Sequence, residues 1–474
     1  MKILLVKPSP KLDTVRRVHG LIFLEPLELG YVAAAVPEGH DVRVLDLRPA
    51  KRPVRLFAKE LEAYRPDVVG LSGYTHEAST VVALSHKVRA MLPEAVVVVG
   101  GHHATVLPQT YNIDSIQAIV RGEGCAPFRA IIEALATGRP LTGIPNVMVP
   151  GPTFDEAAAA RLPAYPELDD VPAPRRDLWD PSLYHCIWPS ERHPDWHTLF
   201  PTVQLVRSSF GCRMNCTFCV VPKLCGGRHM VRSPERVAEE IAGLTADHIY
   251  FCDDETFLDA DHAVQLAEAV EARGIRKRYF AWARSTTVNR SPEIFRRWRQ
   301  VGLDTVFLGF EATTDEELRD ISKHSTVADN QRAHATLREM DIAVQAGFMV
   351  RPDFTREDFS RLRTAIKAMP PAQVTLTVYT PSPCSDAWVE EHERFVCDPY
   401  ELHDCMHPLT PAALPLREFY RRFASLTWSG AAKSPLRARR SRVPPRDILR
   451  VWWAAARYSR SLKRAYRDFP KTMW

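Results

Sequence analysis

Val203-Gln204-Leu205-Val206-Arg207-Ser208-Ser209-Phe210-Gly211-Cys212-Arg213-Met214-Asn215-Cys216-Thr217-Phe218-Cys219 runs from a short apolar segment into three cysteines spaced C-x3-C-x2-C. Three thiolates this close can hold three corners of a [4Fe–4S] cluster and leave one iron without a protein ligand. An open iron can bind a substrate directly. A ferredoxin that only carries electrons normally uses four cysteines. The spacing therefore predicts cluster chemistry rather than an electron wire.

Downstream of the loop, strand-like and helix-like patterns alternate. Strands are predicted at 203–206, 248–252, 279–283, 305–310, 343–350 and 374–379. Helices are predicted at 234–243, 260–272, 292–301, 314–321, 328–340 and 355–368. Six such repeats over 201–390 predict a partial (β/α)6 barrel, whose chemistry gathers at the carboxyl ends of its strands. The cysteine loop stands at the first of those ends.

Upstream, apolar runs at 3–6, 42–45, 68–71, 96–99 and 118–120 leave room for helices at 29–36, 54–64 and 79–91. β-branched runs separated by helices predict a parallel, doubly wound sheet over 1–150, so the fold class is α/β throughout. Ligands of such sheets sit at the carboxyl ends of the strands. Those ends carry Ser72-Gly73-Tyr74, Gly100-Gly101-His102-His103-Ala104-Thr105 and Arg121-Gly122-Glu123-Gly124. Glycine there lets a ligand approach the backbone, and it equally serves a tight strand-to-helix turn.

Residues 151–200 are rich in proline and read as an ordered linker. Residues 391–474 form a small, mostly helical, basic region, with helical patterns at 419–423 and 448–458. Between Lys433 and Lys471 the only acids are Asp447 and Asp468. That stretch suits an acidic partner or an anionic surface, or is simply a solvated helical face.

The 474 residues carry a formal charge of only +5, which argues against a chain built throughout to bind nucleic acid. The longest apolar runs, such as 95–99, are far shorter than a bilayer span needs. The first residues read as a strand and not a signal peptide, so ten cysteines point to reduced thiols and metal ligation in the cytoplasm.

The loop, with Phe218 just before its third cysteine, resembles the signature of the radical S-adenosylmethionine superfamily. The resemblance implies that Cys212, Cys216 and Cys219 ligate a [4Fe–4S] cluster and that Phe218 lies near the adenine of S-adenosylmethionine. It implies that reductive cleavage yields methionine and a 5′-deoxyadenosyl radical, with the electron supplied by an external donor such as flavodoxin or ferredoxin. A zinc knuckle with His229 as fourth ligand is the alternative reading of the same cysteines.

Tyr250-Phe251-Cys252-Asp253-Asp254-Glu255-Thr256-Phe257 resembles the acidic end of the second strand in the cobalamin-linked branch. There Asp253 and Asp254 would orient the amino group of S-adenosylmethionine, Arg284 would pair with its carboxylate, and Glu311 of Gly309-Phe310-Glu311 would reach the ribose or methionyl part. Ordinary capping and ion-pair roles are the alternative for Asp253, Asp254 and Arg284. Two later turns depart from the family: Val350-Arg351-Pro352-Asp353-Phe354-Thr355, and Pro381-Ser382-Pro383-Cys384-Ser385, where cysteine stands in place of glycine.

The first 150 residues resemble the cobalamin-binding domain that precedes many such barrels, which implies cobalamin contacts at Ser72, Gly73, Gly100, Gly101, His102, Gly122 and Glu123. The cobalt-ligating D-x-H-x-x-G loop of other cobalamin domains is absent; Tyr74-Thr75-His76-Glu77 stands there. The whole implies a cobalamin-dependent methyltransferase or cyclase acting on a small molecule. Transfer of a 3-amino-3-carboxypropyl group, or a cobalamin-free rearrangement, is the alternative. An RNA-modifying enzyme is a third reading, opposed by the absence of a second set of cluster cysteines near the N terminus.

Overall fold

The computed structural model describes residues 1–152, 154–188, 198–370, 372–396, 399–431 and 444–471. Parts of the expected linker (189–197) and of the basic region (432–443) lie outside the described residues. Backbone packing divides the chain into two units. The first comprises Met1–Arg16, Pro26–Asp180 and Pro399–Asp404; the second comprises Arg17–Glu25, Pro181–Asp398 and Cys405–Trp474.

The first unit is built on β1 (Lys2–Lys7), β2 (Asp41–Asp46), β3 (Val68–Ser72), β4 (Val96–Gly100), β5 (Ala118–Val120) and β6 (Val147–Met148). The sheet order is β2-β1-β3-β4-β5-β6; the first five strands are parallel and β6 is antiparallel. Alternation along β1 explains why both faces are covered. Leu4 and Val6 enter one core with Phe57 and Leu61 of the helix Pro53–Tyr64 and Val81 and Leu84 of the helix Ala78–Met91. Ile3 and Leu5 enter the other with Leu29 of the helix Leu27–Ala34 and Phe128, Ile131 and Ile132 of the helix Cys125–Ala136. A strand buried on both faces reads as a continuous apolar run, which is how the sequence announces it. The antiparallel β6 carried no such run, because its two residues are half-buried.

The second unit holds β7 (Val203–Val206), β8 (His248–Phe251), β9 (Arg278–Ala283), β10 (Leu303–Glu311), β11 (Ala343–Val350) and β12 (Gln373–Val378). These form one parallel sheet in sequence order, as six strand–helix repeats require. A buried aromatic layer of Phe251, Tyr279, Phe257, Phe295 and Trp298 fills the space beneath helices Ala260–Ala272 and Pro292–Val301. Two long helices follow, Leu416–Ala431 and Pro445–Leu462, longer at both ends than the sequence patterns suggested. Among the described residues no helix is long and apolar enough to cross a membrane.

Candidate active site

The cysteine loop is anchored from both edges of the second sheet. On the near side, Ser209–Phe210 pairs antiparallel with Met230–Val231 and closes the loop into a flap. Asp253, just past β8, accepts hydrogen bonds from Ser208 N (2.8 Å), Ser208 Oγ (2.6 Å) and Ser209 N (2.9 Å). Asp254 Oδ2 accepts from Gly211 N at 2.8 Å. Buried amides must find acceptors, and these two carboxylates supply them. Burial pushes the Asp253 carboxyl up to about 6, while its three donors pull the other way. The geometry thus gives both acids the capping work that was the alternative to orienting an amino group.

On the far side, Ser382 N, beyond β12, donates to Phe218 O at 3.4 Å, and Ala387 N donates to Thr217 O at 2.9 Å. Thr217 N donates to Ile321 O at 3.1 Å, and His324 Nε2 donates to Asn215 Oδ1 at 2.5 Å. The loop therefore reaches from the first strand to the turns behind the fourth and the sixth. Gly211 makes this closure possible. Its φ is 99°, and a Cβ there would overlap the Arg228 carbonyl oxygen and lie 2.8 Å from Cys225 Cβ.

Cys216 is buried, while Cys212, Phe218 and Cys219 are half-buried. The three cysteines are close enough to feel one another's charge. Burial raises the Cys212 thiol and pushes Cys219 up to about 12, so both stay protonated until a metal supplies positive charge. Among the described residues no three His, Cys, Asp or Glu side chains converge on a single metal ion. A cubane takes one thiolate at each of three irons, which spreads the sulfurs farther apart than one zinc does. Three thiols at C-x3-C-x2-C spacing are a donor set that fits an iron–sulfur cluster with one open iron.

Beside the thiols sit two groups with buried, unpartnered polar atoms. Arg284 follows β9; its Nη1 donates to Cys216 Sγ at 3.5 Å and its Nη2 to the Lys323 carbonyl oxygen, yet its Nε has no partner. Glu255 is 1% exposed and takes hydrogen bonds from the Arg284 backbone and the Thr287 side chain, yet its Oε1 has no partner. A buried polar atom without a partner is costly, so an open donor on Arg284 and an open acceptor on Glu255 suit a ligand that offers both an acceptor and a donor. The amino-acid end of S-adenosylmethionine has both. Glu255 was missed in the sequence, because the chain bends at 254–255 after the strand ends and no periodicity shows which way its side chain turns. Glu311, at φ 63° on a bulge of β10, is paired with Lys323 at 2.7 Å. Lys323 also escaped the sequence, since no local pattern links it to Glu311. Cys384, beyond β12, keeps the left-handed backbone that glycine would serve, with φ 68°.

Burial pushes the Glu255 carboxyl up from 4.5 to about 7. Between those values the folded protein holds a proton that the unfolded chain releases. Stability is then greatest below the unfolded value and falls as pH rises toward 7, by roughly 3 kcal/mol at about 1.4 kcal/mol per pH unit. Glu255→Gln removes this term. Protein prepared without iron should melt higher than wild type above pH 7, and the gain should vanish below about pH 4.5. A difference that does not vary with pH, measured by calorimetry, would contradict this account.

In the first unit, strand ranks 2-1-3-4-5 put the topological switch point between β1 and β3, where sheets of this order bind ligands. Ser9 Oγ and Thr75 Oγ1, just beyond those two strands, are buried without partners. Tyr74 stacks on His76 with centroids 5.9 Å apart and lies 6.1 Å from His102. Burial pushes His102 down to about 4 and lowers His76, so both imidazoles are neutral at neutral pH, while Lys7 Nζ lies 4.6 Å from the Tyr74 ring centroid. Unpaired hydroxyls beside this aromatic rim fit a corrin, whose periphery is lined with amides.

The expected glycine contacts have a more local cause. Gly73 N donates to Gly100 O at 3.4 Å, and Gly122 N donates to Thr105 Oγ1 at 2.9 Å. A Cβ on Gly101, whose φ is 90°, would lie 2.7 Å from Ser72 Oγ. The neighbouring turn by itself requires glycine there. Glu123 Oε2 accepts from Cys125 N at 2.8 Å, at the start of the following helix.

Comparison with known proteins agrees with both units. The family model of the B12 binding domain matches residues 21–132, and that of the Radical SAM superfamily matches residues 206–366. Hopanoid C-3 methylase of Methylococcus capsulatus is 30% identical over 430 residues, covering 89% of this chain and 78% of that protein. An uncharacterized methyltransferase of Pyrococcus horikoshii is 29% identical over 403 residues, covering 82% of each chain. The radical S-adenosylmethionine methyltransferase TsrM of Kitasatospora setae, solved with cobalamin and a [4Fe–4S] cluster, superposes with a TM-score of 0.61 over 83% of this chain and 78% of its own, at 19% identity, a likeness of fold. The chain belongs to the radical S-adenosylmethionine superfamily, in the branch that carries a B12-binding domain ahead of the barrel.

Proposed function

We propose that the protein is a cobalamin-dependent radical S-adenosylmethionine methyltransferase that adds a methyl group to a carbon of a small, largely apolar molecule. The observation that carries the reading is the open pair of Arg284 Nε and Glu255 Oε1 beside the cysteine loop. When bound, the cluster supplies the electron that cleaves S-adenosylmethionine, and cobalamin carries the methyl group. Cys212, Cys216 and Cys219 would hold the cluster. Arg284 would take the carboxylate of S-adenosylmethionine, since a guanidinium suits that geometry, and Glu255 would take its ammonium. Asp253 and Asp254 hold the loop in place, and Lys323 fixes Glu311 at the rim. Around the switch point, Ser9, Thr75 and the Tyr74 rim would receive cobalamin. Electrons would come from an external one-electron donor such as flavodoxin or ferredoxin. The apolar substrate class is supported by the hopanoid-methylating relative.

The test is anaerobic reconstitution with iron, sulfide and hydroxocobalamin, followed by removal of unbound corrinoid. The protein should keep a corrinoid absorption spectrum, and with a reductant and substrate it should release both 5′-deoxyadenosine and S-adenosylhomocysteine. Retention of no corrinoid would remove the cobalamin assignment. Methylthioadenosine as the sole nucleoside product would instead indicate transfer of a 3-amino-3-carboxypropyl group.

A further inference from the structure

The helix Pro445–Leu462 has two apolar sides, and the fold buries one of them. Ile448 and Val451 pack on Ile187, Leu199 and Phe200, and Ala454 and Leu462 are buried. Asp447, the only acid in 445–464, is buried and accepts a hydrogen bond from Leu199 N at 2.7 Å. The other side carries Leu449, Trp452, Trp453 and Ala456, at the i, i+3, i+4, i+7 spacing of a single helical stripe. Leu449 is 70%, Trp452 55% and Trp453 62% exposed. Trp452 tilts against Trp428 of the preceding long helix at 5.6 Å, but Leu449 and Trp453 are left in water, where they do not serve the fold that holds the helix.

The flanks of that stripe are cationic. Arg446, Arg450, Arg457, Arg460, Lys463 and Arg464 lie along the same twenty residues. Arg457 sits over the Trp453 ring at 4.1 Å and Arg450 over Phe200 at 3.8 Å. Tryptophan beside arginine and lysine is the composition that seats a helix in the headgroup layer of a bilayer, the rings reaching the acyl boundary and the cations meeting anionic lipid.

We propose that this helix docks the protein on the anionic surface of a lipid bilayer, lying in the interface without crossing it. The charge pattern favours this occupant over a second copy of the chain, because two such faces would bring cations against cations.

The test is cosedimentation of the full chain with vesicles of phosphatidylglycerol and phosphatidylcholine, and with vesicles of phosphatidylcholine alone. Wild type should sediment with the mixed vesicles and not with the neutral ones. Trp452→Ser/Trp453→Ser and Arg446→Glu/Arg460→Glu should each lower the partition coefficient about tenfold, and about 1 M salt should do the same to wild type. If the double tryptophan variant melts lower than wild type, Leu449→Ser, at the most exposed position of the stripe, takes its place and should lower the partition severalfold. Failure of wild type to sediment with anionic vesicles would overturn the proposal, as would equal sedimentation of wild type and the stripe variant. So would a wild-type dimer that the stripe substitutions convert to monomer, because a second copy would then cover the face.

Discussion

Cys216→Ala should lose cleavage of S-adenosylmethionine altogether. Cys216 is buried, and Arg284 Nη1 donates to its sulfur. It is the central member of three thiols, and two thiols cannot hold a cubane open at only one iron. Changes outside the ligand shell of a metal site typically cost about 10- to 100-fold, so losing a ligand should exceed that range and leave no detectable 5′-deoxyadenosine. Iron and sulfide content after reconstitution should fall with it. Cys225→Ala is the matched control. Cys225 is also buried beside the loop, but its sulfur donates to the Cys212 carbonyl at 3.7 Å, so its role is packing. That variant should keep its cluster and lose less than about tenfold in turnover. Normal cleavage by Cys216→Ala would refute the cluster assignment.

Gly211→Ala should prevent the loop from closing. The backbone there is left-handed at φ 99°, which by itself costs a side-chain-bearing residue about 1–3 kcal/mol. The larger problem is space, since the new methyl would overlap the Arg228 carbonyl and press on Cys225. Either the Ser209–Phe210 flap opens or the Asp254 hydrogen bond to the Gly211 amide breaks. Iron incorporation should drop about tenfold, by analogy with the cost of disturbing the support of a metal site. Gly226→Ala separates strain from clash: its φ is 59°, but nothing stands within 4 Å of the added carbon. It should cost only about 1 kcal/mol and retain the cluster. A Gly211→Ala protein that reconstitutes like wild type would show that the loop is free to rearrange.

Much of the architecture was legible because it is written in local patterns. The doubly wound sheet announced itself through β-branched runs such as Val96–Gly100, and the second sheet through six strand–helix repeats. The cysteine spacing carried the family. Harder to read were the short elements. The antiparallel β6 and the pairing of Ser209–Phe210 with Met230–Val231 are two-residue ladders with no periodicity to detect.

The candidate site divides the same way. Asp253, Asp254 and Arg284 could be picked out as acids and a base at strand ends, but their hydrogen-bond partners could not. Asp253 and Asp254 turn back to the loop amides, while Glu255, in the same run, keeps a buried oxygen open beside Arg284 Nε. Glu311 and Lys323 are twelve residues apart and meet only through the bulge of β10. What the sequence alone determined is which chemistry this chain can perform, because three thiols at fixed spacing and the period of strands and helices are properties of neighbouring residues. Which oxygen caps a turn, which guanidinium nitrogen stays open and which side of the last long helix is left in water were decided only by the tertiary structure. The reason is that each depends on atoms brought together from distant parts of the chain.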